Sequence, residues 1–131
     1  LGFAFKANTN DTRESSSISI CKNLLKEGAK LFINDPKVNE EDIKNELGFK
    51  NDKLNNLYES SNVYFCRNLY DSFIDSDAIV LLTDWEDYKN LNWSEISNVM
   101  RKPAWLFDTR SIYKENEVKV HGLNYWGLGV G

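Results

Sequence analysis

Short apolar runs without internal alternation recur along this chain, and they constrain its fold more than any other feature. The clearest are "AIVLL" at 78–82 and "AWLFD" at 104–108, with "AKLFIND" at 29–35 and "VYFC" at 63–66 of the same kind. A strand with one wet face alternates apolar and polar residues, whereas a continuous apolar run marks a strand buried on both faces. Such strands belong to parallel sheets, and parallel neighbours need a crossover connection, usually a helix.

The intervening segments supply those helices. Residues 15–26 carry Ile18, Cys21, Leu24 and Leu25 at helical spacing, with Glu14 and three serines at the start and Gly28 just past the end. Hydroxyls and carboxylates satisfy the free N–H groups of a helix start, and Gly closes a helix end. Residues 40–47 read as a short acidic helix, 69–74 as a helical stretch, and 88–100 as one or two helical segments. The segment "FKNDKLNNLYESSN" mixes loop with a helical turn; residues 1–5 read as a buried first strand, and "VKVHGLNYWGLGVG" as the source of a last one. The expected fold is α/β: a three-layer Rossmann-like domain with a mostly parallel sheet of about five to six strands and helices on both faces.

A length of 131 residues suits one domain. The net charge of -4 argues against a non-specific nucleic-acid binder, which needs a basic face. No apolar run approaches a membrane span, and nothing resembles a signal peptide. Cys21 and Cys66 sit among apolar neighbours on separate elements, as free buried thiols do, so a cytoplasmic location is expected. His121 is the only histidine, and no Cys/His/carboxylate cluster has metal-ligand spacing, so no metal site is expected. The four tryptophans read as core or subunit-interface residues.

Ligands of open α/β sheets bind beyond the carboxyl ends of the strands. Three predicted strand ends carry polar groups: "FAFK…DTR", "FIND" and "LFDTR". Lys6 follows the first strand and can meet an anion, although on position alone a solvated lysine is the stronger reading. Arg13 precedes a helix start, where a guanidinium and free N–H groups suit phosphate oxygens; pairing with Asp11 or Glu14 is the equal alternative. Arg110 follows Asp108 at a central strand end, suited to a phosphate or carboxylate, or else to a surface pair with Asp108. The G-x-G-x-x-G dinucleotide fingerprint is absent, as are a Walker loop, a G-x-S-x-G elbow and a paired-carboxylate signature. From its residues, the chain is an anion- or phosphate-binding half of something, without catalytic machinery of its own.

Those residues carry a resemblance. "GFAFKANTNDTRESSSISICKNLLKEGAKLFINDPKV" is similar to a G-F-A-F-K strand, a D-T-x-D-x-R-E-S loop, a helix and a strand ending in D-P. "SDAIVLLTDWEDYKNLNW" and "KPAWLFDTR" match two later blocks in the same order. This pattern resembles the C-terminal domain of the UDP-glucose/GDP-mannose dehydrogenase family, on its UDP-glucose side. The resemblance implies that residues 1–131 are the UDP-sugar-binding domain of a longer oxidoreductase, itself a homo-oligomer. That enzyme would oxidise the C6 alcohol of UDP-glucose to UDP-glucuronate in two NAD-dependent hydride transfers. It implies nucleotide-sugar contacts for Phe5, Lys6 and Arg110 and a reach toward NAD for Arg13. NAD itself would be held mainly by a domain outside this chain. No residue here inherits a catalytic role, Cys21 and Cys66 included, so the isolated chain is expected to be inactive. Ala7 and Asn8 replace the pattern's second Lys and Asp, and Thr109 replaces the Gly of F-D-G-R, where a positive φ would strain it. The alternatives are the same domain from a GDP-mannose or UDP-N-acetyl-sugar dehydrogenase, or a non-catalytic interaction module.

Overall fold

Local side chains and glycines satisfy terminal groups at several ends of the described helices. A computed structural model of the protein describes residues 1–3, 16–48 and 62–128. Helix α1, Ser16–Lys26, buries Ser17, Cys21 and Leu25 on one stripe. It stops at Gly28, whose φ of 87° lets the Gly28 N–H reach the Leu25 carbonyl and the Ala29 N–H reach that of Leu24. Helix α2, Glu40–Glu46, starts at Asn39, whose side chain accepts the Asp42 N–H at 2.8 Å. Helix α3, Trp93–Val99, starts at Asn92, which accepts the Glu95 N–H at 3.1 Å. Helix α4, Glu115–Lys119, starts at Lys114, whose N–H donates to Glu117 Oε2 at 2.9 Å. Two 3₁₀ turns, Leu69–Phe73 and Glu86–Tyr88, complete the helical elements among the described residues.

Among the described residues, five strands form two all-parallel ladders. β1 (Leu31–Ile33) pairs with β2 (Val63–Phe65), and β3 (Ala78–Leu81), β4 (Trp105–Asp108) and β5 (Asn124–Gly127) pair in that order. Residues 1–3 join the ladders. The Leu1 amino group donates to the Val80 carbonyl at 2.6 Å, and the Leu82 N–H to the Leu1 carbonyl at 2.9 Å. On the opposite side the Gly2 N–H donates to the Asn34 carbonyl at 2.8 Å. The spatial order is therefore β2, β1, residues 1–3, β3, β4, β5. This is the doubly wound order, whose direction reverses between the first extended segment and β3.

Glycine is required at position 2. Its φ is 90°, and a Cβ there would lie 2.5 Å from the Thr83 Cβ. The lone Gly ahead of the first strand thus serves close strand approach at the switch point.

The expected elements are present, with four differences. The first strand is described only over residues 1–3, so the sheet appears as ladders of two and three strands bridged by that segment. The stretch at 69–74 is 3₁₀ rather than α, because Asn68 accepts the Tyr70 N–H at 3.0 Å and the turn tightens at once. Helix α4 was not expected; five residues carry too little periodicity to be seen, and the Lys114–Glu117 contact that starts it is formed only on folding. The sheet faces also differ from each other. Ile79, Leu81 and Leu106 are buried, while Trp105 and Trp126 are 38% and 44% exposed on the alternate face. Trp85 and Trp93 are core residues. The segment at 49–62, read as loop with a helical turn, lies almost wholly outside the described residues.

One buried carboxylate ties three elements together at the switch point. Asp35 Oδ2 accepts the Phe3 N–H at 2.8 Å and the Trp85 Nε1–H at 3.2 Å. Asp35 Oδ1 accepts the N–H groups of Lys37 and Val38 at 2.8 and 3.0 Å. Asp35→Ala should lower stability in urea unfolding by about 3 kcal/mol or more, since each buried donor left unpaired costs ~1–3 kcal/mol. A loss below about 1 kcal/mol would contradict this account of the junction.

Candidate functional site

The strand ends at the switch point are occupied by residues 83–84 after β3 and 108–110 at the end of β4. Arg110 is placed by another buried carboxylate. Asp108, the last residue of β4, is fully buried. Its Oδ1 accepts the Arg110 N–H at 3.1 Å and its Oδ2 accepts the Tyr113 N–H at 2.8 Å. Residues 109–113 therefore wrap around one carboxylate. Thr109 seals the other side: its N–H and its Oγ1–H both donate to the Leu81 carbonyl, at 3.2 and 2.5 Å.

Two readings from sequence are corrected here. Asp108 does not pair with the Arg110 side chain: the carboxylate is fully buried and accepts backbone N–H groups, while the guanidinium lies partly exposed. The guanidinium turns to Asp84 instead, with Nη2 3.6 Å from Oδ1. Nor is Thr109 strained. The left-handed residue of the turn is Ser111, with φ of 55°, so a β-branched residue is accommodated at 109.

A line of phenols backs the turn. The Tyr125 hydroxyl donates to the Tyr113 carbonyl at 2.8 Å, with Asp108 Oδ2 at 3.3 Å. The Tyr113 hydroxyl donates to the Tyr88 carbonyl and accepts the Leu91 N–H at 3.0 Å. The Tyr88 hydroxyl lies 2.8 Å from both the carbonyl and the Oδ1 of Asn34. Burial, then the neighbouring Asp108, pushes the Tyr125 phenol up to about 12, and burial chiefly pushes Tyr113 up to about 12. Burial, with the charge of Asp35, raises Tyr88 further in the same direction.

Of the residues expected to form the site, Arg110 stands at the carboxyl end of β4, as anticipated. Phe5, Lys6 and Arg13 fall outside the described residues, as do Asp11 and Glu14. Residues 3 and 17, which bracket them in sequence, are joined directly: Ser17 Oγ–H donates to the Phe3 carbonyl at 2.8 Å. The "FIND" strand end is structural, since Asn34 and Asp35 are buried and engaged with backbone groups. His121 is exposed, Cys21 is buried with its thiol pushed up to about 11, and both cysteines are free thiols. Among the described residues no cluster of three or more His, Cys, Asp or Glu could hold a metal ion. Sequence reasoning passed over Asp84. The strand-end argument would have found it, because it stands three residues beyond β3.

Residues 1–115 match the model of the UDP-glucose/GDP-mannose dehydrogenase family, UDP binding domain. A UDP-glucose 6-dehydrogenase of Gallus gallus is 41% identical over 98% of this chain, and UDP-glucose 6-dehydrogenase 4 of Arabidopsis thaliana is 36% identical over 98%. The chain spans only 26% and 28% of those relatives. A crystal structure of the NDP-N-acetyl-D-galactosaminuronic acid dehydrogenase from Methanosarcina mazei Go1 superposes with a TM-score of 0.75. It is 26% identical to this chain, covering 98% of it and 23% of that protein.

The raised phenol values set an alkaline limit on stability. A tyrosine whose folded pKa lies above its unfolded value contributes fully below about pH 10 and loses that contribution as pH rises toward about 12. The urea midpoint should therefore fall between these pH values. Tyr125→Phe should cost about 1 kcal/mol at pH 8 and shrink that alkaline fall. An unchanged pH profile in the variant would refute the assignment.

Proposed function

This chain belongs to the UDP-glucose/GDP-mannose dehydrogenase family as a UDP-binding domain, and on that premise we propose that it is the C-terminal UDP-sugar-binding domain of a longer enzyme. The parent oxidises UDP-glucose to UDP-glucuronate with NAD. The observation that carries the reading is Arg110, a guanidinium presented at the carboxyl end of a central strand by a fully buried Asp108. That position suits a diphosphate: the fork of an Arg matches paired phosphate oxygens and offsets their charge. Phe5 and Lys6, the last residue of the predicted first strand and the one after it, contact the nucleotide sugar in this reading. Arg13 reaches toward the NAD side.

The cofactor's part is to accept hydride from the C6 carbon. This chain carries no G-x-G-x-x-G loop to hold a dinucleotide, so no chemical step is assigned to its residues. The domain's work is binding and orientation of the nucleotide sugar, which turns an encounter into a positioned reaction. The parent is read as a cytoplasmic homo-oligomer. Among the described residues no helix is long and apolar enough to cross a membrane. A second reading is a UDP-N-acetyl-sugar parent; its N-acetyl-sugar part draws support from the superposed protein, named an NDP-N-acetyl-D-galactosaminuronic acid dehydrogenase.

Calorimetry with UDP tests the proposal. The 131-residue chain should bind UDP weakly, and Arg110→Ala should weaken binding about tenfold or more, the scale of a lost hydrogen bond to a charged group. Unaltered UDP binding in that variant would overturn the assignment. The chain should also make no NADH from UDP-glucose and NAD, and detectable turnover would contradict the division of labour proposed here.

A further inference from the structure

Asp84 has no part in the proposed function, yet it is the one charged partner of Arg110 among the described residues. Its geometry is not that of a clamp. The contact is a single nitrogen–oxygen approach of 3.6 Å, and the two side chains are 37% and 43% exposed. A bidentate pair of that type would sit closer and engage both oxygens. Nor does Arg110 need Asp84 to fix its backbone, since Asp108 and the Thr109 contacts with Leu81 already do so.

The Asp84 backbone is held in place. It stands between Thr83, which is fully buried, and Trp85, which is 3% exposed with its indole N–H on Asp35. The exposed carboxylate can swing away from the guanidinium but stays near it. An incoming phosphate meets a cation that is already partly neutralised, next to an anion that repels it.

We infer that Asp84 is an internal competitor for Arg110: it occupies the guanidinium in the unliganded domain and must be displaced by the ligand's phosphate. This rests on the reading that Arg110 binds the diphosphate. The consequence is a tax on affinity, because only the fraction of molecules with Arg110 released is ready to bind. Exposed pairs are weak, so the tax is small, about two- to fivefold.

The test is a double-mutant cycle on the 131-residue chain, with UDP as probe, by calorimetry at low salt. Asp84→Asn should tighten UDP binding about two- to fivefold, and the gain should vanish in the Arg110→Ala background. Glu86→Gln, which removes an exposed charge paired with Lys89, should leave affinity unchanged. If Asp84→Asn weakens binding or leaves it unchanged while Arg110→Ala still impairs it, the inference fails and the Arg110 reading stands. An equal gain in both backgrounds also overturns it, since the effect would then be a general field and not competition for Arg110. If Arg110→Ala binds UDP as the wild type does, the reading fails and the inference with it.

Discussion

The buried carboxylate of Asp35 is the contact on which the doubly wound arrangement depends. It accepts N–H groups from the first extended segment, from the turn after β1 and from the indole that follows β3. Those pieces come from both sides of the switch point. An acceptor with two oxygens can satisfy several donors at once, and a buried N–H without an acceptor is costly. The D-P ending of the second strand is therefore a junction: Pro36 ends the strand while the residue before it gathers the neighbours.

Asp108 applies the same device one strand further along. It spends its oxygens on the Arg110 and Tyr113 N–H groups and lies beside the Tyr125 phenol. Fully buried, it holds the Arg110 backbone without meeting the partly exposed guanidinium. Arg110 turns instead to Asp84, in a long contact between two partly exposed side chains. Strong polar contacts lie beneath the sheet edge and weak ones at its mouth.

Much of this was legible from local pattern. Ile18, Cys21 and Leu25 announced α1 by spacing, Gly28 its end, and "AIVLL" and "AWLFD" their strands. Arg110 stands two residues past β4, the position that the strand-end argument gave it. The alternative of an Asp108–Arg110 surface pair does not form, because the turn directs the buried carboxylate to backbone N–H groups. Ser111, not Thr109, takes the left-handed conformation, and nothing in a single sequence distinguishes the two. The open sheet face was also illegible. Trp105 and Trp126 belong to apolar runs identical in kind to buried ones, and exposure depends on what packs across them.

By itself, the sequence determined the alternation of strands and helices, the parallel class of the sheet and the absence of a dinucleotide loop, since all of these follow from residues close in the chain. Tertiary structure decided which charges meet. Asp35 and Trp85 lie far apart in sequence and Arg110 and Asp84 are on different strand ends, so their contacts exist only once the strands take their spatial order. Pairwise electrostatics falls with distance through space, and chain spacing does not report that distance.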